Sequence, residues 1–197
     1  GALAEDEIRR GLAAVDPTVE PYLVYRHFYW FAEYAALLSG RLDRALELEA
    51  QGKALGGNHT RVVLEVARAR AAGRRDEALA AAGRLYSRRD VALGLPLYLG
   101  EWDLAEGRAR EAVERADEFL SMPVFPPHPD VAGFRAALWP RALLLRARAR
   151  EALGDPEAAR ADLARLLDLW RDADRDAPDV AAARALRARL ERATSRR

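Results

Sequence analysis

Four times the chain reads glycine, four residues, alanine: Gly40 to Ala45, Gly73 to Ala78, Gly107 to Ala112 and Gly154 to Ala159. The glycines stand 33, 34 and 47 residues apart. A glycine can take the left-handed backbone that ends a helix, and a small residue early in the next helix lets two helix backbones approach closely. The fourth copy shows the logic most fully. Gly154 can end one helix, Asp155 can cap the next and Pro156 fits its first turn. Beyond that turn Ala159, Leu163, Leu166, Leu167 and Trp170 fall on one apolar stripe at helical spacing. A period this regular restricts the chain to a row of helical hairpins, each burying its apolar face on its neighbour.

Composition agrees with that restriction. Half of the 197 residues are apolar and 32% are charged, so burial is ample and disorder is not expected. Ala, Leu, Arg and Glu predominate and favour helix. Lys53 is the single lysine, and the arginine excess reads as the composition of a GC-rich genome. With 32 basic and 31 acidic residues the net charge is +1, unlike the basic footprint of a nucleic-acid binder. There is no cysteine, which removes disulfides, thiolate chemistry and cysteine-based zinc sites. No apolar run approaches the roughly 20 residues of a membrane helix, and the start carries no signal-peptide pattern. The only methionine is Met122, so the sequence reads as a segment, most simply the C-terminal part of a longer chain.

Along the chain, residues 2–15 read as a short amphipathic flanking helix stopped at Asp16-Pro17. Repeats are expected over about 21–55, 60–88, 94–120 and 131–172. The helix over 21–38 carries seven of the fifteen aromatics on more than one face. Residues 121–130 contain four prolines and are expected to form a loop insertion, which accounts for the long spacing before the fourth glycine. Val131–Trp139 reads as a helical lead-in interrupted or bent at Pro140. Pro178 launches a capping helix over 178–193, whose Val180, Ala183, Leu186 and Leu190 can cover the last open repeat face.

The period near 34, the turn glycine and the alanine resemble tetratricopeptide repeats over roughly Pro21–Trp170. Trp139-Pro140-Arg141, the turn at 154–159 and the run Leu169–Asp174 are similar to the C-terminal repeat region of bacterial multidomain proteins. In that family such repeats follow a serine/threonine kinase domain or a winged-helix DNA-binding domain. The segment itself has no HRD loop, no DFG and no Gly-rich phosphate loop. The sequence departs from the family where an aromatic often stands four residues before the turn glycine. Those positions hold Ala36, Ala69, Asp103 and Arg150.

The resemblance implies an all-α, right-handed solenoid of helical hairpins with a C-terminal cap, in one domain over 1–197. It further implies that the first helices of successive repeats line a concave groove for a peptide or partner helix. Carried over by offset from each turn glycine, the groove residues are His27, Trp30, Tyr34, Arg70, Glu101, Arg141, Arg148 and Glu151. Trp, Tyr and Arg are the residues that most often dominate interface energetics. The alternative is that the aromatics pack in a core with the flanking helix while the charges form a solvated lattice.

His27, His59 and His128 have no ligand spacing, and the serines lack a nucleophile-elbow context, so no metal, cofactor or catalytic residue is expected. The expected role is a cytoplasmic, non-enzymatic protein-interaction module. Self-association into a homodimer and small-molecule sensing are the competing readings.

Overall fold

The computed structural model describes residues 29–54, 61–86, 94–122, 129–173 and 177–194, together with Asp6, Arg9, Arg10 and Ala13. Among the described residues it is all-helical, with no strand. The helices are α1 (Trp30–Leu38), α2 (Leu42–Ala54), α3 (Arg61–Ala71), α4 (Arg75–Tyr86), α5 (Leu95–Ala105), α6 (Ala109–Ser121), α7 (Pro129–Ala152), α8 (Pro156–Leu169) and α9 (Pro178–Thr194). The chain divides into two compact units, Gly1–Ala92 and Leu93–Arg197.

Each of the four glycines joins two antiparallel neighbours through one geometry. Gly40, Gly73, Gly107 and Gly154 have φ of 72°, 69°, 77° and 77°. In each turn the amide after the glycine donates back to a carbonyl five residues earlier. Arg41 donates to Ala36 at 2.9 Å, Arg74 to Ala69 at 2.8 Å, Arg108 to Asp103 at 2.8 Å and Asp155 to Arg150 at 2.9 Å. The glycine amides themselves donate to Leu37, Arg70, Leu104 and Glu151. This paired bonding is the Schellman termination, which satisfies helix-end carbonyls and needs a left-handed residue in the middle. The second helix then starts with the alanine amide donating to the residue after the glycine, as in Ala45 to Arg41 and Ala159 to Asp155. Asp155 adds a side-chain cap, accepting from the Ala158 amide at 3.1 Å.

The alanines five residues past each glycine, Ala45, Ala78, Ala112 and Ala159, are fully buried. In the first unit α1 packs on α2, α3 on α4, and α2 against α3. The core there includes Tyr34, Leu37, Leu48, Leu64, Val66 and Ala82. In the second unit α5 pairs with α6 and α7 with α8. Helix α7 also packs on α6 and α5, and α9 packs on α8 and α7 in the same manner. In the second unit, therefore, each helix that follows a hairpin lies on both helices of that hairpin. Leu143, Leu144, Leu163, Leu166, Leu186 and Leu190 meet in the seam between α7, α8 and α9. Burying side chains of this size contributes about 1.5–3 kcal/mol each.

Two sequence expectations are corrected. Helix α7 runs from Pro129 to Ala152 with Pro140 inside it, so of the interruption or bend expected there the interruption is overturned. Pro140 is buried among residues of the second unit's interior, and packing holds the helix although proline removes one backbone bond. The Pro-rich insertion is also shorter than 121–130. Ser121 ends α6, and Pro129 and Asp130 open α7, with proline in a first turn where its missing N–H costs nothing. Residues 123–128 lie outside the described residues, as do 21–28 and most of the expected flanking helix, of which Asp6, Arg9, Arg10 and Ala13 are helical.

Gly100 in α5 is small for a different reason. A Cβ there would meet Leu145 Cδ2 at 2.8 Å and Arg115 Cβ at 3.1 Å. Helix propensity favours alanine over glycine by about 1 kcal/mol, but overpacking costs about 1–3 kcal/mol. Gly100→Ala is therefore expected to lower stability. Gly154→Ala has open space but the wrong backbone, and is expected to cost about 1–2 kcal/mol through φ alone. Urea unfolding midpoints check both; a stabilised Gly100→Ala would show that Leu145 moves aside freely.

Candidate functional site

The eight groove residues expected from the sequence divide between the two units, and in the second Glu101, Arg141 and Arg148 come together. His27 lies outside the described residues, and of Trp30 only its place at the start of α1 is described. Tyr34 is 2% exposed. Burial first, and the neighbouring Glu33 charge second, push its phenol well above the ordinary value of 10.0. This is a core tyrosine, and the expectation that it offers a binding surface is corrected. Tyr34 lies in the first unit's core with Ala32, Ala36 and Leu37 of the same helix. Arg70 in α3 is half-buried.

In the second unit Glu101 of α5 pairs with Arg141 and Arg148 of α7, and Glu151 of α7 pairs separately with Arg189 of α9. Glu101 lies 3.6 Å from Arg148 Nη1 and 4.0 Å from Arg141 Nε. Arg141 also reaches Asp179, at the start of α9, at 3.9 Å. Glu151 accepts two hydrogen bonds from Arg189 of α9, at 2.7 and 2.5 Å. That bidentate hydrogen bonding raises the Arg189 pKa despite some loss of solvent. Three acids and three arginines thus form two groups of pairs over α5, α7 and α9. They are half-buried or exposed, with the Arg148 side chain 50% accessible. Such a surface is neutral overall yet presents both signs of charge. It can exchange an internal pair for one with an incoming chain at small net cost, because exposed pairs contribute little by themselves.

A second charged system lies deeper and is structural. Arg146 of α7 holds Asp162 of α8 by two hydrogen bonds, at 2.9 and 2.5 Å, and Asp117 of α6 by a third at 2.5 Å. Arg150 adds a bond to Asp162 at 2.9 Å. Burial works against the Arg146 charge, but the bonds to Asp162 and Asp117 outweigh it and its pKa rises. In the hairpin before it, Asp103 is buried and accepts from Arg108 at 3.2 Å, with Arg115 Nε 3.9 Å away.

These two systems occupy equivalent places. Counted from the turn glycine, four before and eight after hold Asp103 and Arg115 in one hairpin, and Arg150 and Asp162 in the next, with the charges reversed. In the first unit the same places hold Ala36 and Leu48, and Ala69 and Ala81, all buried. Ala36, Ala69, Asp103 and Arg150, four residues before the turn glycines, thus sit opposite either an apolar residue or a charge of opposite sign. Sequence reasoning missed these pairs, although opposite charges twelve residues apart across a turn glycine were available as a signal. It also missed Asp179 and Arg189, because the last helix was read only for its apolar face.

Among the described residues no group of three or more acidic or histidine side chains is placed to hold a metal ion. No helix there is long and apolar enough to cross a membrane. Comparison with known proteins finds no matching family model, no matching curated protein and no matching solved structure.

The two buried ion pairs are expected to respond differently to mutation. Asp162→Ala removes the buried carboxylate that Arg146 and Arg150 share, leaving Arg146 with Asp117, and should cost about 3–5 kcal/mol. Asp103→Ala with Arg115→Leu recreates the apolar pair of the first hairpin and should change stability by no more than about 1 kcal/mol. Chemical denaturation of the two variants checks the contrast; equal losses would contradict the equivalence of the two places.

Proposed function

We propose that this chain is a protein-interaction module: a right-handed solenoid of tetratricopeptide-type hairpins that captures an extended peptide or partner helix. The observation that carries the reading is the mixed-charge surface over α5, α7 and α9, built on Glu101, Arg141, Arg148 and Glu151. Rigid helices hold its side chains, and their pairing is exchangeable because it is half-exposed. The four identical turns support the repeat reading, since hairpins joined by one geometry stack in one sense. The near balance of charge favours a protein over a nucleic acid. In this reading the segment is not itself an enzyme, and it serves a larger, cytoplasmic bacterial regulator as its scaffolding part.

Binding is expected in the micromolar range, roughly −8 kcal/mol. Selection from a displayed peptide library tests it. Wild-type protein should enrich peptides with charged residues at fixed spacing, and Arg148→Glu should weaken them about tenfold. The pair Glu101→Arg with Arg148→Glu should select peptides of reversed charge pattern. Enriched peptides indifferent to both variants, or no enrichment at all, would contradict the reading.

A further inference from the structure

Helix α9 runs beside α7 in the same direction and ties itself to two of the four residues on which the charged surface is built. Arg141, in the middle of α7, has its Nη1 3.9 Å from Asp179 in the first turn of α9. Glu151, near the end of α7, accepts two hydrogen bonds from Arg189, late in α9, at 2.7 and 2.5 Å. Both pairs join residues 38 positions apart. On each helix the two ties are ten residues apart, about 15 Å along the axis. One spacing on two parallel helices thus sets an acid of α9 on the base of α7, and a base of α9 on the acid.

These pairs are not what seats α9. Val180, Ala183, Leu186 and Leu190 are buried where it packs on α7 and α8, and Arg160 Nη2 donates to the Leu190 carbonyl at 2.8 Å. Burial of apolar side chains outweighs exposed ion pairs, and the Arg189 side chain is 58% accessible. Removing the charges therefore leaves the helix on its seam. What the pairs change is the surface itself. They engage Arg141 and Glu151, whereas Glu101 and Arg148 pair across α5 and α7 without α9.

We propose that α9 is an autoinhibitory strap whose Asp179 and Arg189 compete with a bound peptide for Arg141 and Glu151. The inference rests on the peptide-capture reading of this surface and adds its regulation. An incoming carboxylate must take the place of Asp179 on Arg141, and an incoming cation must take the place of Arg189 on Glu151. The second exchange is the harder, because Arg189 holds Glu151 through two bonds. The exchange is one of side chains, with α9 still seated. Apparent affinity is lowered in proportion to the fraction of molecules in which these pairs are open.

Retention of a displayed random peptide library by the full chain tests the strap. The double variant Asp179→Asn with Arg189→Gln should hold peptides about fivefold more tightly than wild type, with Arg189→Gln giving the larger share. Arg187→Gln, which breaks only a pair inside α9, with Glu191 at 3.6 Å, should behave as wild type. Adding Arg148→Glu to the double variant should remove the gain, since the peptides are held by charge. Amide hydrogen exchange of α9 should be the same in the double variant as in wild type. Peptides held equally by wild type and the double variant would overturn the strap and leave the surface reading standing. A gain that survives Arg148→Glu, or that comes with faster exchange throughout α9, would also overturn it, because the peptides would then sit on apolar ground that α9 had covered. Retention by none of the variants would contradict the surface reading, and the strap with it.

Discussion

The hydrogen bond that crosses each turn glycine, from the following amide to the carbonyl five residues back, is what the rest of the structure depends on. It exists only if the glycine between takes a positive φ, which costs other residues about 1–2 kcal/mol. Once formed, it fixes how far the second helix is rotated relative to the first. Everything counted from that glycine then recurs in place. The alanine five residues on is always fully buried, and the places four before and eight after hold either buried apolar residues or an ion pair.

That register explains how one fold tolerates very different interiors. Ala36 with Leu48, Asp103 with Arg115, and Arg150 with Asp162 occupy the same two places with apolar, acid–base and base–acid chemistry. A buried carboxylate is tolerable only with its partner supplied by the same hairpin or its neighbour, as Arg146 and Arg150 supply Asp162. The surface charges follow a looser rule. Glu101, Arg141, Arg148 and Glu151 keep contact with water, and their pairing is correspondingly adjustable.

Much of the helical layout was legible because glycine turns, proline starts and 3.6-residue stripes are local signals. The turns at Gly40, Gly73, Gly107 and Gly154 and the start of α9 at Pro178 fall where those signals put them. Interruption at Pro140 was overturned because its local cost is overridden by burial in the second unit, which no window of sequence reveals. Tyr34 was misread for the opposite reason: an aromatic suited to a binding surface is equally suited to a core, and only packing decides between them. On the charged face, the residues of α7 and α5 were legible from turn offsets. Their partners Asp179 and Arg189 were not, because they come from a helix outside the repeat count.

The most direct test of this account is the measurement of through-hydrogen-bond couplings between amide nitrogens and carbonyl carbons in the four turns. The account predicts a coupling from Arg41 to Ala36, Arg74 to Ala69, Arg108 to Asp103 and Asp155 to Arg150, with positive φ at all four glycines. An amide that couples instead to the carbonyl four residues back, or a turn glycine with negative φ, would contradict the common register on which the fold and its charged face are built.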